Sequence, residues 1–123
     1  MSYNLTFEKK DDVLWVTAAG TRSFEAVLAM SKDILAALAE NKVKKVLIDV
    51  RALEGRLGTI DSYEIVDQHF RKIQDRSVIT HCAIVDLKEF EHSYRFFENL
   101  ATNRGFTLRI FPDTDQALAW LNG

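Results

Sequence analysis

Few side chains in this sequence are spaced for catalysis. The three histidines, His69, His81 and His92, form no short-range His-x-x-x-His pair, and one cysteine cannot complete a zinc-type ligand set, so no metal is expected. Cys82 lies among apolar neighbours in residues 79–85 (ITHCAIV). If that run is a strand, His81 points to the opposite face and cannot act as its base. Cysteine is also among the most buried residue types, so Cys82 reads as a small core filler. Glu91 and Arg95 stand four apart, the spacing of a solvated helix face, and no carboxylate spacing proposes an acid–base pair. Gly55 and Gly58 are not followed by the Lys-Ser/Thr of a phosphate loop, and neither a dinucleotide fingerprint nor a nucleophile elbow occurs. These residues predict a protein that is not an enzyme and carries no cofactor.

Binding chemistry is better represented. Residues 51–58 (RALEGRLG) place Arg51 and Arg56 just before Thr59, and Lys88 follows the next apolar run. Arginines beside helix N-termini, at the carboxyl ends of parallel strands, can hold an anion or a partner. The plainer reading is a surface loop with solvated charges. A second candidate is aromatic: Tyr63, Phe70, Tyr94 and Phe97 could line a groove between the second and third helices, able to take an acyl chain or a partner helix. The plainer alternative is a broad core face.

The elements that must position these residues follow from periodicity. Tyr3, Leu5 and Phe7 alternate with polar residues as an edge strand, and residues 13–19 (VLWVTAA) form a more central one, paired with it as a hairpin. Ser23 is an N-cap candidate for a helix whose stripe includes Phe24, Val27, Ile34 and Leu38, and Asn41 would end it. Residues 46–50 (VLIDV) form a short buried strand. A second helix starts near Thr59 or Asp61 with Tyr63, Val66, Phe70 and Ile73 on one face, and the Asp61-to-Glu64 spacing is expected to cap it. Residues 79–85 are the next strand, and residues 89–103 a third helix ended by Gly105. Residues 107–111 form the last strand, and Asp113 with Gln116 opens the last helix. The predicted class is α/β: one domain over residues 1–123, with a mixed five-stranded sheet in the order β-β-α-β-α-β-α-β-α.

Bulk properties agree. The 123 residues suit one domain, 47% are hydrophobic and 28% charged, and 16 Lys and Arg against 18 Asp and Glu leave a net charge of −2. Both halves mix signs, so the basic footprint of a nucleic-acid binder is missing. Charged residues from Glu8 to Asp12 interrupt the N-terminal region, so no signal peptide is expected. No uncharged run suits a transmembrane segment. One cysteine fits a reducing compartment, and a cytoplasmic location is expected.

The stretches VLWVTAAGTRSFEAV, KVLIDVRALEG, HCAIVD and above all FENLATNRGFTLRIFPDTDQALAWL, in this order and spacing, resemble the SpoIIAA-like (STAS-like) bacterial proteins over about residues 5–121. The resemblance implies a fold related to anti-sigma-factor antagonists and CRAL-TRIO domains, and a small cytoplasmic non-enzymatic module. Anti-sigma-factor antagonists carry an Asp-Ser-(Ser/Thr)-Gly motif with a phosphorylated Ser. Here GRLGTIDSYEI offers Asp61-Ser62, but Tyr63 and Glu64 replace the small residue and glycine, which argues against phosphorylation of Ser62. The expected function is a regulatory protein-interaction module; the alternative is a lipid or other apolar small molecule with an anionic head group, held between the second and third helices. The expected contact residues are Arg51, Arg56, Thr59, Ser62, Tyr63, Phe70, Lys88, Tyr94 and Phe97. A homodimer and peripheral membrane contact are left open.

Overall fold

The computed structural model describes residues 3–70 and 79–123. β1 (Tyr3–Lys10) and β2 (Val13–Thr21) form an antiparallel hairpin, turned at Asp11, whose φ of 56° lies in the left-handed region. Then follow α1 (Phe24–Asn41), β3 (Lys45–Glu54), α2 (Thr59–Glu64), β4 (His81–Val85), α3 (Glu91–Asn103), β5 (Leu108–Phe111) and α4 (Thr114–Asn122). A π-helical turn, Ile65–His69, continues α2, and a 3-10 turn, Lys88–Phe90, leads into α3. The sheet order is β1-β2-β3-β4-β5, with β2 to β5 mutually parallel.

When successive parallel strands are added in one direction, right-handed crossovers place their helices on one face. Side-chain alternation obeys this. Leu14, Val16, Val46, Cys82, Leu108 and Ile110 share a core with α1, the π-helical turn and α3. The neighbouring positions Val13, Leu47, Ala83, Val85 and Phe111 face the other way and pack against Ala117 and Leu121 of α4. His81 accordingly packs edge-on against Trp120, its ring 5.3 Å away, while Cys82 is buried on the opposite face.

Several boundaries differ from expectation. β3 runs to Glu54 rather than stopping at Val50, because its last residues pair with β2 after β4 has ended. Between Thr17 and Ala19 of β2 the register advances two residues, while β3 advances three, from Asp49 to Ala52. This bulge resets the alternation, so Val50 and Leu53 both face α1 although they differ in parity. Ser23 caps α1 as expected, its hydroxyl accepting from the Ala26 N–H at 3.2 Å. The left-handed residue ending α1 is Lys42, one beyond Asn41. Asp61 does not cap α2: the N-cap is Gly58, and Asp61 lies inside the first turn. Asp113 does cap α4, accepting from the Gln116 N–H at 2.8 Å. Ile73, expected on the second helix, lies outside the described residues.

Candidate functional site

Three charged side chains meet where parallel strands end. Arg22 follows β2, Arg56 lies in the 55–58 loop after β3, and Asp86 follows β4. One oxygen of Asp86, Oδ2, accepts from Nη1 of Arg22 at 3.2 Å and Nη1 of Arg56 at 2.8 Å. Its other oxygen accepts from the Leu87 N–H at 2.8 Å. Arg22 also donates to the Val50 carbonyl, and the Arg56 guanidinium stacks 4.4 Å from the Phe90 ring centroid. The Asp86 side chain is 3% exposed and the Arg22 side chain 11%, so this pair is largely withdrawn from water. Burial lowers the Arg22 pKa, Asp86 opposes that, and the neighbouring Arg56 charge adds to the lowering.

Beneath this cluster lies a cavity of about 500 Å³, within the range of small-molecule sites. Its floor is the sheet face carrying Val46, Ile48, Cys82 and Ile84, and α1 and α3 form much of its walls. Ile48 and Ile84 are mid-strand yet only half-buried, because the cavity lies over them. Burial pushes the Cys82 thiol up to about 12, so it is protonated and unreactive near neutrality. Tyr94 is 2% exposed and lines the cavity, and its hydroxyl has no hydrogen-bond partner among the described residues. The same holds for Nε of both Arg22 and Arg56.

Of the nine residues expected from sequence, Arg56, Ser62, Phe70, Tyr94 and Phe97 line this cavity. Arg51 does not join them: its guanidinium grips Asp49 at 2.8 and 3.0 Å and reaches Thr114 at the start of α4. Burial pushes the Asp49 carboxyl up, but the Arg51 hydrogen bonds outweigh it and hold it below its usual range. Thr59, Tyr63 and Lys88 are exposed, Tyr63 lying 5.3 Å from the Arg104 guanidinium. The cavity is therefore broader than a groove between the second and third helices, since α1 and three strands enclose it too. Arg22 and Asp86 are the residues that sequence reasoning passed over. The signal for both was position: Asp86 directly follows the apolar run 79–85, and Arg22 comes three residues after the run 13–19.

Among the described residues no helix is long and apolar enough to cross a membrane. No protein-family model and no curated protein matches the chain. Solved structures do. An anti-sigma factor antagonist from Mycobacterium paratuberculosis is similar at a TM-score of 0.66 and 18% identity, over 99% of this chain and 96% of that one. An uncharacterised DUF3478-family protein from Shewanella loihica, described as having a SpoIIAA-like fold, is similar at a TM-score of 0.58 and 22% identity, over 98% and 93%. Sheet order, the three helices on one face and these two likenesses agree: the chain has the SpoIIAA-like fold that its sequence resembles.

Proposed function

We propose that this protein is a cytoplasmic regulatory module that acts by binding another protein, not by catalysis. The observation that carries this reading is the fold shared with an anti-sigma factor antagonist along nearly the whole of both chains. An antagonist of a protein factor works through a protein surface, and the surface we assign to that role here is the 55–58 loop with α2. Ile60 is 74% exposed and Tyr63 44%, side by side on a short helix that also presents Thr59. A partner that covered them would gain roughly 1–2 kcal/mol from the apolar surface of Ile60 and less from Tyr63, more than half of which is already covered. Ser62 points the other way and is 6% exposed, so a kinase cannot reach its hydroxyl in this conformation. Control by phosphorylation of Ser62 is not part of this reading.

The test is site-specific photocrosslinking in cells from a benzophenone amino acid at position 60, with position 7 as the control. Phe7 is also exposed, at 42%, but lies on the edge strand β1. A discrete protein adduct from position 60, absent from position 7 and abolished by Tyr63→Glu, is the expected result. Identical adduct patterns from the two positions, or none from position 60, would overturn the proposal.

A further inference from the structure

The cavity beneath the Arg22–Asp86–Arg56 cluster has a chemical polarity of its own. Its described lining carries three charged residues, two guanidiniums and one carboxylate, a net charge of one positive within the cavity itself. All three stand at the end where β2, β3 and β4 finish. The opposite end, near Ile79, Phe106 and Leu108, is where β4 and β5 begin. A five-residue strand such as β4 separates the two ends by roughly 16 Å. Between them the floor is aliphatic: Val46, Ile48, Cys82 and Ile84.

Hydrogen-bond capacity at the charged end is one-sided. Both Asp86 oxygens already accept bonds from Arg22, Arg56 and the Leu87 N–H. Among the buried side-chain atoms of the described residues, those left unpartnered can each donate: Nε of Arg22, Nε of Arg56 and the Tyr94 hydroxyl, which can also accept. A buried donor without an acceptor costs about 1–3 kcal/mol, so a group that accepts from these atoms is favoured there. A carboxylate offers acceptors and no donor, and its single negative charge balances the net positive charge of the cavity's own lining. Arg22, Arg56 and Leu57 also border an outward cleft beside the first residues of α1 and α2, so the charged end lies next to solvent; Glu25, Asp61 and Glu64 line that cleft and are not among the cavity's own lining residues.

We propose that this cavity binds a single-chain amphiphile with a carboxylate head, its head at Arg22, Arg56 and Tyr94 and its tail along the sheet toward Phe106. The site lies inward of the surface at Ile60 and Tyr63, and the two share the 55–58 loop through Arg56 and Leu57. Sodium decanoate is the probe, titrated below its micellar concentration by calorimetry. Decyltrimethylammonium and 1-decanol, which match its tail, serve as comparisons. Decanoate is expected to bind saturably, one per chain, and to raise the Tm of the native protein as its concentration exceeds the dissociation constant. The cation and the alcohol are expected to bind at least about tenfold more weakly, as the loss of charge-assisted hydrogen bonds implies. Tyr94→Phe removes only an unpartnered hydroxyl, so it is expected to fold with an unchanged or higher Tm while losing about fivefold to tenfold in decanoate affinity. Arg56→Met is expected to lose more. No saturable decanoate binding, equal binding of the cation, or full affinity in Tyr94→Phe would overturn the proposal.

Discussion

Cys82 shows how one residue's chemistry is set by its surroundings. Its thiol lies on the sheet face under α1 and α3, and burial raises its pKa to about 12. In the unfolded chain the thiol titrates near 8.5. Below that pH both states keep the proton and Cys82 adds no pH dependence. Between about 8.5 and 12 only the unfolded state releases it, so the thiol's contribution to stability falls as pH rises through this window. Denaturant titrations from pH 8 to 11 are therefore expected to show a steeper loss of stability for the natural protein than for Cys82→Ala. Equal slopes would show that burial does not hold the proton. The buried role of Cys82 was legible in sequence because strand alternation and residue type are local properties. Asp86 was not: its partner Arg22 is 64 positions away and becomes a neighbour only when β2, β3 and β4 are laid side by side.

At the scale of elements, the contact between α3 and β5 depends on a second buried carboxylate. Glu98 is 8% exposed on α3, and its Oε2 accepts from the Ile110 N–H at 2.7 Å. Arg95 closes the arrangement, donating to both Glu98 oxygens at 2.9 and 3.0 Å and to the Ile110 carbonyl at 3.2 Å. One side-chain pair thus serves the donor and the acceptor of Ile110 in β5, whose ladder contacts come from β4. Glu98→Ala leaves that N–H buried without its acceptor and is expected to cost about 1–3 kcal/mol. Hydrogen exchange should show the change first at the Ile110 amide, before any general loss of protection; uniform loss would place the effect elsewhere. Sequence periodicity found α3 and β5 but gave Glu98 no role, since a Glu among aromatic positions reads as a polar face. The end of β3 was missed for a related reason. Arg51, Ala52 and Glu54 are exposed, so the strand past the bulge carries no continuous apolar signal, and pairing with β2 is what keeps it extended.

The whole molecule sets two differently packed layers on one sheet. On one face α4 closes directly on Val13, Leu47, Ala83, Val85 and Phe111, with Ala117 and Leu121 buried. On the other, α1 and α3 span a cavity of about 500 Å³, leaving Ile48 and Ile84 half-buried in mid-strand. Interior packing is normally dense, so space of this size forgoes dispersion contacts that filling would recover. The two faces should therefore answer substitution with opposite signs. Leu121→Ala opens a void in a close-packed layer and is expected to cost about 2–5 kcal/mol. Ser31 lies on α1 and lines the cavity, and leucine there improves helix propensity while adding apolar volume to available space. Ser31→Leu is expected to stabilise by about 0.5–2 kcal/mol, raising Tm by a few degrees. The same substitution fills volume that an amphiphile's tail would occupy, so it should weaken decanoate binding as it raises Tm. Thermal unfolding and decanoate titration on this one variant separate the two roles of the space. A gain in Tm with undiminished binding would mean that the tail runs elsewhere, whereas a loss in Tm would mean that α1 already packs as tightly on its face as α4 does.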